Sequence, residues 1–415
     1  MKRRLLMIAY HFPPLAGSSG IQRTLRFVQH LPRHGWEPIV LTANPISYDE
    51  TNVDLLAEVP EHIRVERAFA LNTQKHLSLF GRYPAALARP DRLLSWSWAA
   101  VPRGMNLIRH YKPAAIWSTY PIATAHLIGA ALARRSGVPW IADFRDPMAQ
   151  NGYPSDPETW KSFKKIETEA VARAAASVFT TPGAAEEYRR RYPEYAARIR
   201  VIENGYDESS FTDLDADGGP LVPGRITLLH SGVVYPTERD PRPLFDAMAR
   251  LKAAGVLDAS RFAIRFRAAA HDDMLEAEAA KRDIRDLIEM APPVSYKEAL
   301  AEMLRADGLL VMQGRGCNEQ IPAKVYEYLR ADRPIFALAS GETGRLLHNN
   351  GVEGGAALED GPGIEAALRA FVERMNAGTA PRPSAEAVRH HSREARAAEL
   401  VSLLEEIGDA GSPGQ

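Results

Sequence analysis

The sequence predicts an α/β protein of two open, doubly wound domains that present ligand loops at the C-terminal ends of parallel strands. Three observations carry this. An apolar run, a glycine-bearing loop, an amphipathic helix and a second apolar run follow one another between residues 5 and 42. The same order restarts at residue 226. Between the halves, residues 214–220 form a polar stretch rich in Asp and Gly, the composition of a linker. Strand–helix alternation implies parallel sheets covered on both faces. Open sheets of this kind bind ligands beyond the carboxyl ends of their strands.

Size and composition narrow the class. At 415 residues the chain has room for two domains, or three. Its 45% hydrophobic and 25% charged content is ordinary for a soluble globular protein. A net charge of −1 argues against a nucleic-acid binder that works through a strong positive field. The single cysteine, Cys317, excludes an internal disulfide and a multi-cysteine zinc site, and fits a reducing compartment. Lys2-Arg3-Arg4 ahead of an apolar run imitates a signal peptide, but the run is short and Pro13-Pro14 ends it, so it reads as the first strand. No apolar run approaches the roughly 18 residues of a membrane span.

In the first half, residues 5–10 read as a strand and 11–20 as its loop. A helix follows over 21–34, with Leu25, Val28 and Leu31 on one face and Gly35 ending it, then a strand over 38–42. Gly17 and Gly20 let the backbone approach a ligand, yet the loop lacks the G-x-G-x-x-G fingerprint expected of a nicotinamide-dependent reductase. Trp96 and Trp98 lead into a helix through Tyr111; core packing, an acceptor surface and a membrane-interface anchor are all compatible with them. A strand over 114–117, a helix over 122–135 and a strand over 139–142 come next. Asp143-Phe144-Arg145-Asp146-Pro147 then leaves the strand end toward the crevice of the glycine loop. Asp143 or Asp146 can orient an acceptor hydroxyl there, or an internal Arg–Asp pair staples the loop. A helix over 158–175 carries Lys161, Lys164 and Lys165, and Arg189, Arg190 and Arg191 follow a strand over 177–180. These are solvated helix faces or contacts for anionic lipid headgroups. Residues 200–202 are the last strand of this half.

The second half begins with a strand over 226–230 that ends in His230, either a contact for a base or phosphate or a buried strand histidine. A helix over 244–253 and a strand over 262–266 follow, and Ser295 with Glu298 forms a capping box that opens a helix through Arg305. The central stretch is Asn318-Glu319-Gln320-Ile321-Pro322-Ala323-Lys324-Val325-Tyr326-Glu327-Tyr328-Leu329, set between apolar runs at 308–312 and 334–338 and preceded by Gly314 and Gly316. Pro322 suits the first helical position. Glu319 then lies just outside the helix, Glu327 points from its second turn, and Lys324 shares a face with Glu327, opposite Val325 and Leu329. A helix N-terminus attracts an anion, and carboxylates accept strong hydrogen bonds from hydroxyls. A nucleotide sugar needs that combination. Residues 385–407 read as one long amphipathic helix and 408–415 as a flexible tail, so the domains are 1–212 and 213–384.

The central stretch resembles the E-x7-E motif of glycosyltransferase family 4, in its P-x-K-x-x-E-Y form. Phe12-Pro13-Pro14-Leu15-Ala16-Gly17 is similar to the F-P-P-x-x-G-G opening of that family, with the second glycine displaced. The D-F-R-D-P segment resembles that of a subset of the family. Asn204-Gly205-Tyr206-Asp207 with Phe211 resembles the family's P-N-G-x-D-x-x-x-F junction, Glu203 replacing the proline. The resemblance spans nearly the whole chain. It implies a GT-B fold, two Rossmann-like domains facing across a cleft, with the terminal helix crossing back to the first domain. It implies transfer of a sugar from a UDP-, GDP- or dTDP-sugar, with retention and without a metal or other cofactor. In those terms Glu319, Asp143 and Asp146 are the catalytic candidates. Gly17, His230, Arg239, Glu319, Ile321, Pro322, Lys324 and Glu327 bind the donor, Lys324 standing in for a lysine missing after Arg239. His11, Tyr120 and Arg145 lie on the acceptor side. Asp213-Leu214-Asp215-Ala216-Asp217 imitates a metal-binding D-x-D but reads as linker. The family's acceptors are glycans or lipid-linked glycans of polysaccharide and glycoconjugate assembly. That implies a cytoplasmic protein with peripheral contact at the inner membrane face. A sugar-nucleotide 2-epimerase of the same architecture and a non-catalytic sugar-nucleotide binder are the alternatives.

Overall fold

The computed structural model describes residues 3–18, 20–80, 82–212, 214 and 218–410. They form two units, one of residues Met1–Asn204 with Arg393–Gln415, the other Gly205–Ser392. Each is a parallel sheet with helices on both faces.

The first unit holds β1 (Arg3–Ile8), β2 (Trp36–Ala43), β3 (Arg64–Ala68), β4 (Ala115–Thr119), β5 (Trp140–Arg145), β6 (Ala176–Phe179) and β7 (Ile199–Val201), in the order β3-β2-β1-β4-β5-β6-β7. The order reverses between β1 and β4, which opens a crevice at their carboxyl ends. Burial on both faces explains why β1 is apolar without alternation. Leu6 and Ile8 enter one core with Trp96, Ile128 and Phe163; Leu5 and Met7 enter the other with Leu25, Val28, Leu400 and Leu404. The Gly20–His30 helix gives way to a 3-10 turn, Leu31–His34, containing Pro32, and Gly35 closes it in the left-handed region at φ +80°. Of the tryptophan pair, Trp96 is wholly in the core while Trp98 is 65% exposed.

The second unit holds β8 (Ile226–Ser231), β9 (Phe262–Arg267), β10 (Ile288–Ala291), β11 (Gly308–Gln313) and β12 (Ile335–Ala339), in the order β10-β9-β8-β11-β12. Here the order reverses between β8 and β11. Leu228, Leu310 and Phe336 face one core, Leu229, Leu309, Val311 and Ile335 the other.

Three expectations shift. Residues 385–407 are not one helix but two, Ala385–Arg389 and Arg393–Ala410. The His390–Ser392 turn between them is used for pairing: the His391 carbonyl accepts from Tyr206 N–H at 3.1 Å, and Ser392 bridges Tyr206 in parallel. The second helix belongs to the first unit, against the Gly20–His30 helix, and it continues through Gly408–Ala410, where a tail was expected; residues 411–415 lie outside the described set. The division also falls at Asn204/Gly205 rather than after residue 212, because Tyr206 and Phe211 pack into the second unit's core. Of the D-x-D-like stretch, Asp213, Asp215, Ala216 and Asp217 lie outside the described residues. Among the described residues no helix is long and apolar enough to cross a membrane.

One buried polar chain bears on how the first unit should respond to acid. Trp140 Nε1–H donates to Ser118 Oγ at 2.9 Å, and Ser118 Oγ lies 2.8 Å from His126 Nδ1. His126 is wholly buried. Burial pushes its pKa down from 6.5 to about 4. The sign follows: a group whose native pKa is depressed contributes its stability above the unfolded value and loses it as pH falls through the native one. The urea midpoint of the first unit should therefore drop as pH is lowered from 6.5 to 4, and His126→Gln should flatten that drop. A wild-type midpoint constant over this window would contradict the assignment.

Candidate functional site

The predicted site residues fall into two groups, one in each unit. In the second unit they gather where β8 and β11 end. After Gln313, Gly314 passes so close to the Glu238 carbonyl that a Cβ would lie 2.9 Å from it, and its N–H donates to that oxygen at 2.7 Å. The loop to the helix is fastened from beneath. Gln313 Nε2 donates to the carbonyls of Cys317 and Gln320, and the Thr343 hydroxyl donates to the Gln320 carbonyl at 3.0 Å. Ser340 Oγ–H donates to Asn318 Oδ1 at 2.9 Å, and Glu342 N–H to the Asn318 carbonyl at 2.7 Å. Glu319 is thus exposed on a loop whose neighbours on both sides are pinned.

The helix spans Ala323–Arg330, so Pro322 is its N-cap rather than its first residue. Val325, Tyr326, Tyr328 and Leu329 bury one side, and the Ile321 side chain packs in the same core. Lys324 and Glu327 take the other side. Lys324 Nζ donates to the Ser231 carbonyl at 3.0 Å and lies 3.0 Å from His230 Nε2. Arg239 donates to the Val233 carbonyl at 2.7 Å, with its guanidinium 5.4 Å from the Tyr235 ring centre. Tyr296 O–H donates to Glu327 Oε1 at 2.7 Å. His230 is 0% exposed and both ring nitrogens are engaged, so it is the buried strand histidine of the two alternatives and offers no edge to a base. Burial raises the Cys317 thiol pKa, with Glu238 adding to it, which keeps this side chain a bystander.

In the first unit the residues gather at the β1/β4 switch. The Arg145 side chain and the His11 ring crowd the start of the Gly20–His30 helix. A Cβ on Gly20 would lie 2.4 Å from His11 Nδ1 and 2.8 Å from an Arg145 nitrogen, which explains the displaced glycine. His11 Nδ1 lies 3.1 Å from Ser18 Oγ. Burial, then Arg145, lowers the His11 pKa to about 4, so the ring is neutral at pH 7. Gly17 is in the left-handed region at φ +73°, with the Glu50 carboxylate against it, where a Cβ would sit 2.9 Å from Oε2. Tyr120 is buried, and burial raises its pKa.

The D-F-R-D-P segment departs from expectation. It does not leave the strand, because β5 runs on to Arg145 with a register shift between Asp143 and Arg145. Arg145 sits at φ +63°, a strained conformation for a side-chain-bearing residue. The shift points consecutive residues differently. Asp143 turns inward and is 0% exposed, its oxygens taken by Arg23 at 2.8 and 3.0 Å and by the Thr119 hydroxyl at 2.7 Å. It cannot orient an acceptor. The internal Arg–Asp pair exists, but its arginine is Arg23, not Arg145. Arg145 and Asp146 remain partly exposed at the strand end. Burial lowers the Arg145 pKa and raises that of Asp146, each opposed by the other's charge.

Residues 19–205 match the family model described as glycosyl transferase 4-like domain. That match covers less than half of the chain, and the fold of the two units is GT-B. Solved structures match over the full length. Sucrose-phosphate synthase from Thermosynechococcus elongatus has a TM-score of 0.68 at 14% identity, covering 99% of this chain and 100% of that one. Trehalose 6-phosphate synthase from Burkholderia multivorans has 0.65 at 13%, covering 100% and 99%. HepE of Anabaena, solved with UDP and glucose, has 0.64 at 13%, covering 97% and 100%. At these identities the likeness is one of fold. No curated protein sequence matches.

Sequence reading missed two side chains in these candidate sites. Arg23 looks like a surface charge of an amphipathic helix, and its partners Asp143, Ile202 and Glu203 lie 120 to 180 residues away. Tyr296 is one residue beyond the capping serine, and nothing in its neighbourhood announces Glu327. The basic clusters are largely paired: Lys161 with Glu158, Lys164 with the buried Glu167, Arg191 with Glu167 and Glu187. Among the described residues no three His, Cys, Asp or Glu side chains are grouped to hold a metal.

Removing one partner of a buried ion pair strands the other charge. Arg23→Met should cost the first unit about 3–5 kcal/mol. Chemical denaturation followed in that unit measures it, and a loss below about 1 kcal/mol, the worth of an exposed pair, would show that Asp143 is not held as described.

Proposed function

We propose that the protein transfers a sugar from a UDP-, GDP- or dTDP-sugar to a glycan or lipid-linked acceptor, with retention at the anomeric carbon. The observation that carries this is the convergence of Lys324, Arg239 and Glu327 on the N-terminal turns of one helix, at the switch point between β8 and β11. In this reading the second unit takes the donor. The helix N-terminus, Lys324 and Arg239 face the diphosphate. Glu327, held by Tyr296, accepts from the ribose hydroxyls, and Glu319 accepts from those of the sugar. The first unit takes the acceptor at His11, Arg145 and Asp146. The UDP and glucose in the HepE structure support a donor of this kind.

The chemistry follows from charge. The bond between the anomeric carbon and the phosphate oxygen breaks, and its electron pair stays on the diphosphate. The acceptor oxygen bonds to the same face of that carbon, and its proton passes to the departing phosphate. Negative charge grows on the diphosphate as the bond breaks, so cations and N–H groups already in place there stabilise the transition state more than the ground state.

A thermal-shift series with UDP, GDP, dTDP and their sugars tests the donor site. One base should stabilise the second unit by about 2.7 kcal/mol at a hundredfold excess over Kd, and no shift with any would end the reading. Glu327→Ala should keep the fold and lower turnover roughly 10–100-fold, the worth of a hydrogen bond to a charged group; wild-type turnover would remove it from the site. Arg239→Ala should weaken nucleoside diphosphate binding by calorimetry. Donor incubated without acceptor should stay unchanged, whereas an epimerase would convert it.

A further inference from the structure

The part of the site that the sugar chemistry leaves unexplained is the buried histidine beneath the lysine. His230 Nδ1 lies 3.0 Å from the Leu310 carbonyl, and a carbonyl only accepts. Nδ1 therefore carries the ring proton, and Nε2 is a lone pair. That lone pair faces Lys324 Nζ at 3.0 Å, so the lysine donates to the histidine. A second Nζ hydrogen goes to the Ser231 carbonyl at 3.0 Å. Nζ has no third hydrogen-bond partner among the described residues. Beside it is Gly232, at φ +106°, whose missing Cβ would lie 3.8 Å from Nζ and have nothing else within 4 Å. The lysine is thus gripped from within the sheet and open on the glycine side.

We infer that His230 is a positioning residue that aims Lys324 at the donor diphosphate, and that the pair takes up a proton when the diphosphate binds. This rests on the donor site proposed above. The groups around Lys324 support it from each element packed there. Burial presses its pKa well below the usual lysine range, and Arg239, from the loop after β8, presses the same way; Glu327, on the same helix, opposes them. His230, on β8, is held neutral first by burial and then by Lys324. Tyr328, whose hydroxyl accepts the Ser231 N–H at 2.8 Å, fixes the strand end that carries the second acceptor. Burial and Arg239 both weaken the lysine's hold on its proton when no anion is near. A diphosphate at the open side restores the balance and draws one from solvent. The charge of Lys324 beside Arg239 is then held most firmly when there is an anion to meet it.

The test is calorimetry on the full chain, with whichever of UDP, GDP and dTDP binds, at pH 8 in two buffers of different ionisation heat. Wild type should take up a net proton on binding. Lys324→Met should lose the uptake and bind more weakly. His230→Phe, which keeps the volume but removes the acceptor, should weaken binding about tenfold or more and reduce the uptake. His230→Gln, which can still donate to the Leu310 carbonyl and accept from Lys324, should recover most of both. A purely structural histidine would lower the melting temperature in both variants without changing the proton count, and that result overturns the proposal. So does proton-neutral binding by wild type with undiminished affinity in Lys324→Met, which would leave the donor site itself standing. Failure of all three diphosphates to bind wild type overturns both.

Discussion

A parallel strand covered on both faces by helices has no place along its length for chemistry. Any polar side chain there must find partners inside the protein or lose several kcal/mol. Reactive groups are therefore driven to the strand's carboxyl end, where the sheet stops and the next helix has not yet covered it. Both units obey this. In the first, His11, Tyr120 and Arg145 lie at or just beyond the ends of β1, β4 and β5. In the second, His230, Gly314 and the loop to Lys324 lie at the ends of β8 and β11.

The polar groups that do stay inside show how strict the constraint is. Asp143 meets Arg23 and Thr119; His126 meets Ser118, which meets Trp140; His230 meets Leu310 and Lys324. Each is a short chain of hydrogen-bonding groups closed inside its unit. Two of these chains brace strand ends that carry half-buried candidate residues. Arg23 also holds the carbonyls of Ile202 and Glu203 at 3.0 Å, linking β5 to the segment that leaves the first unit.

Much of this was legible beforehand, and the limits have physical reasons. Central strands such as β1 and β11 are near-continuous apolar runs because both their faces are buried, and the sequence announces them. The edge strands β3 and β10 carry Arg, Glu and Met on half-exposed positions and gave no such signal. Lys324 and Glu327 were placed by helical spacing, which is local. Asp143 was misplaced because its fate depends on Arg23, 120 residues earlier, and on a register shift that no local pattern encodes. The break at His390–Ser392 was hidden for a similar reason. The Ala, Glu and Arg periodicity runs through it, and only the pairing with Tyr206 and with Asn350, whose Nδ2 lies 3.1 Å from His391 Nε2, interrupts the helix.

That break leaves the first unit assembled from two distant pieces of chain. Leu400 and Leu404 cover Leu5, Met7 and Leu25, yet they emerge from the ribosome only after every residue of the second unit has been made. The earlier lobe waits through synthesis with a greasy flank exposed, while the later lobe can fold as a continuous segment. Maturation of this protein is then ordered against the direction of translation, and a message cut short after the second lobe yields a product with one sound lobe and one unfinished.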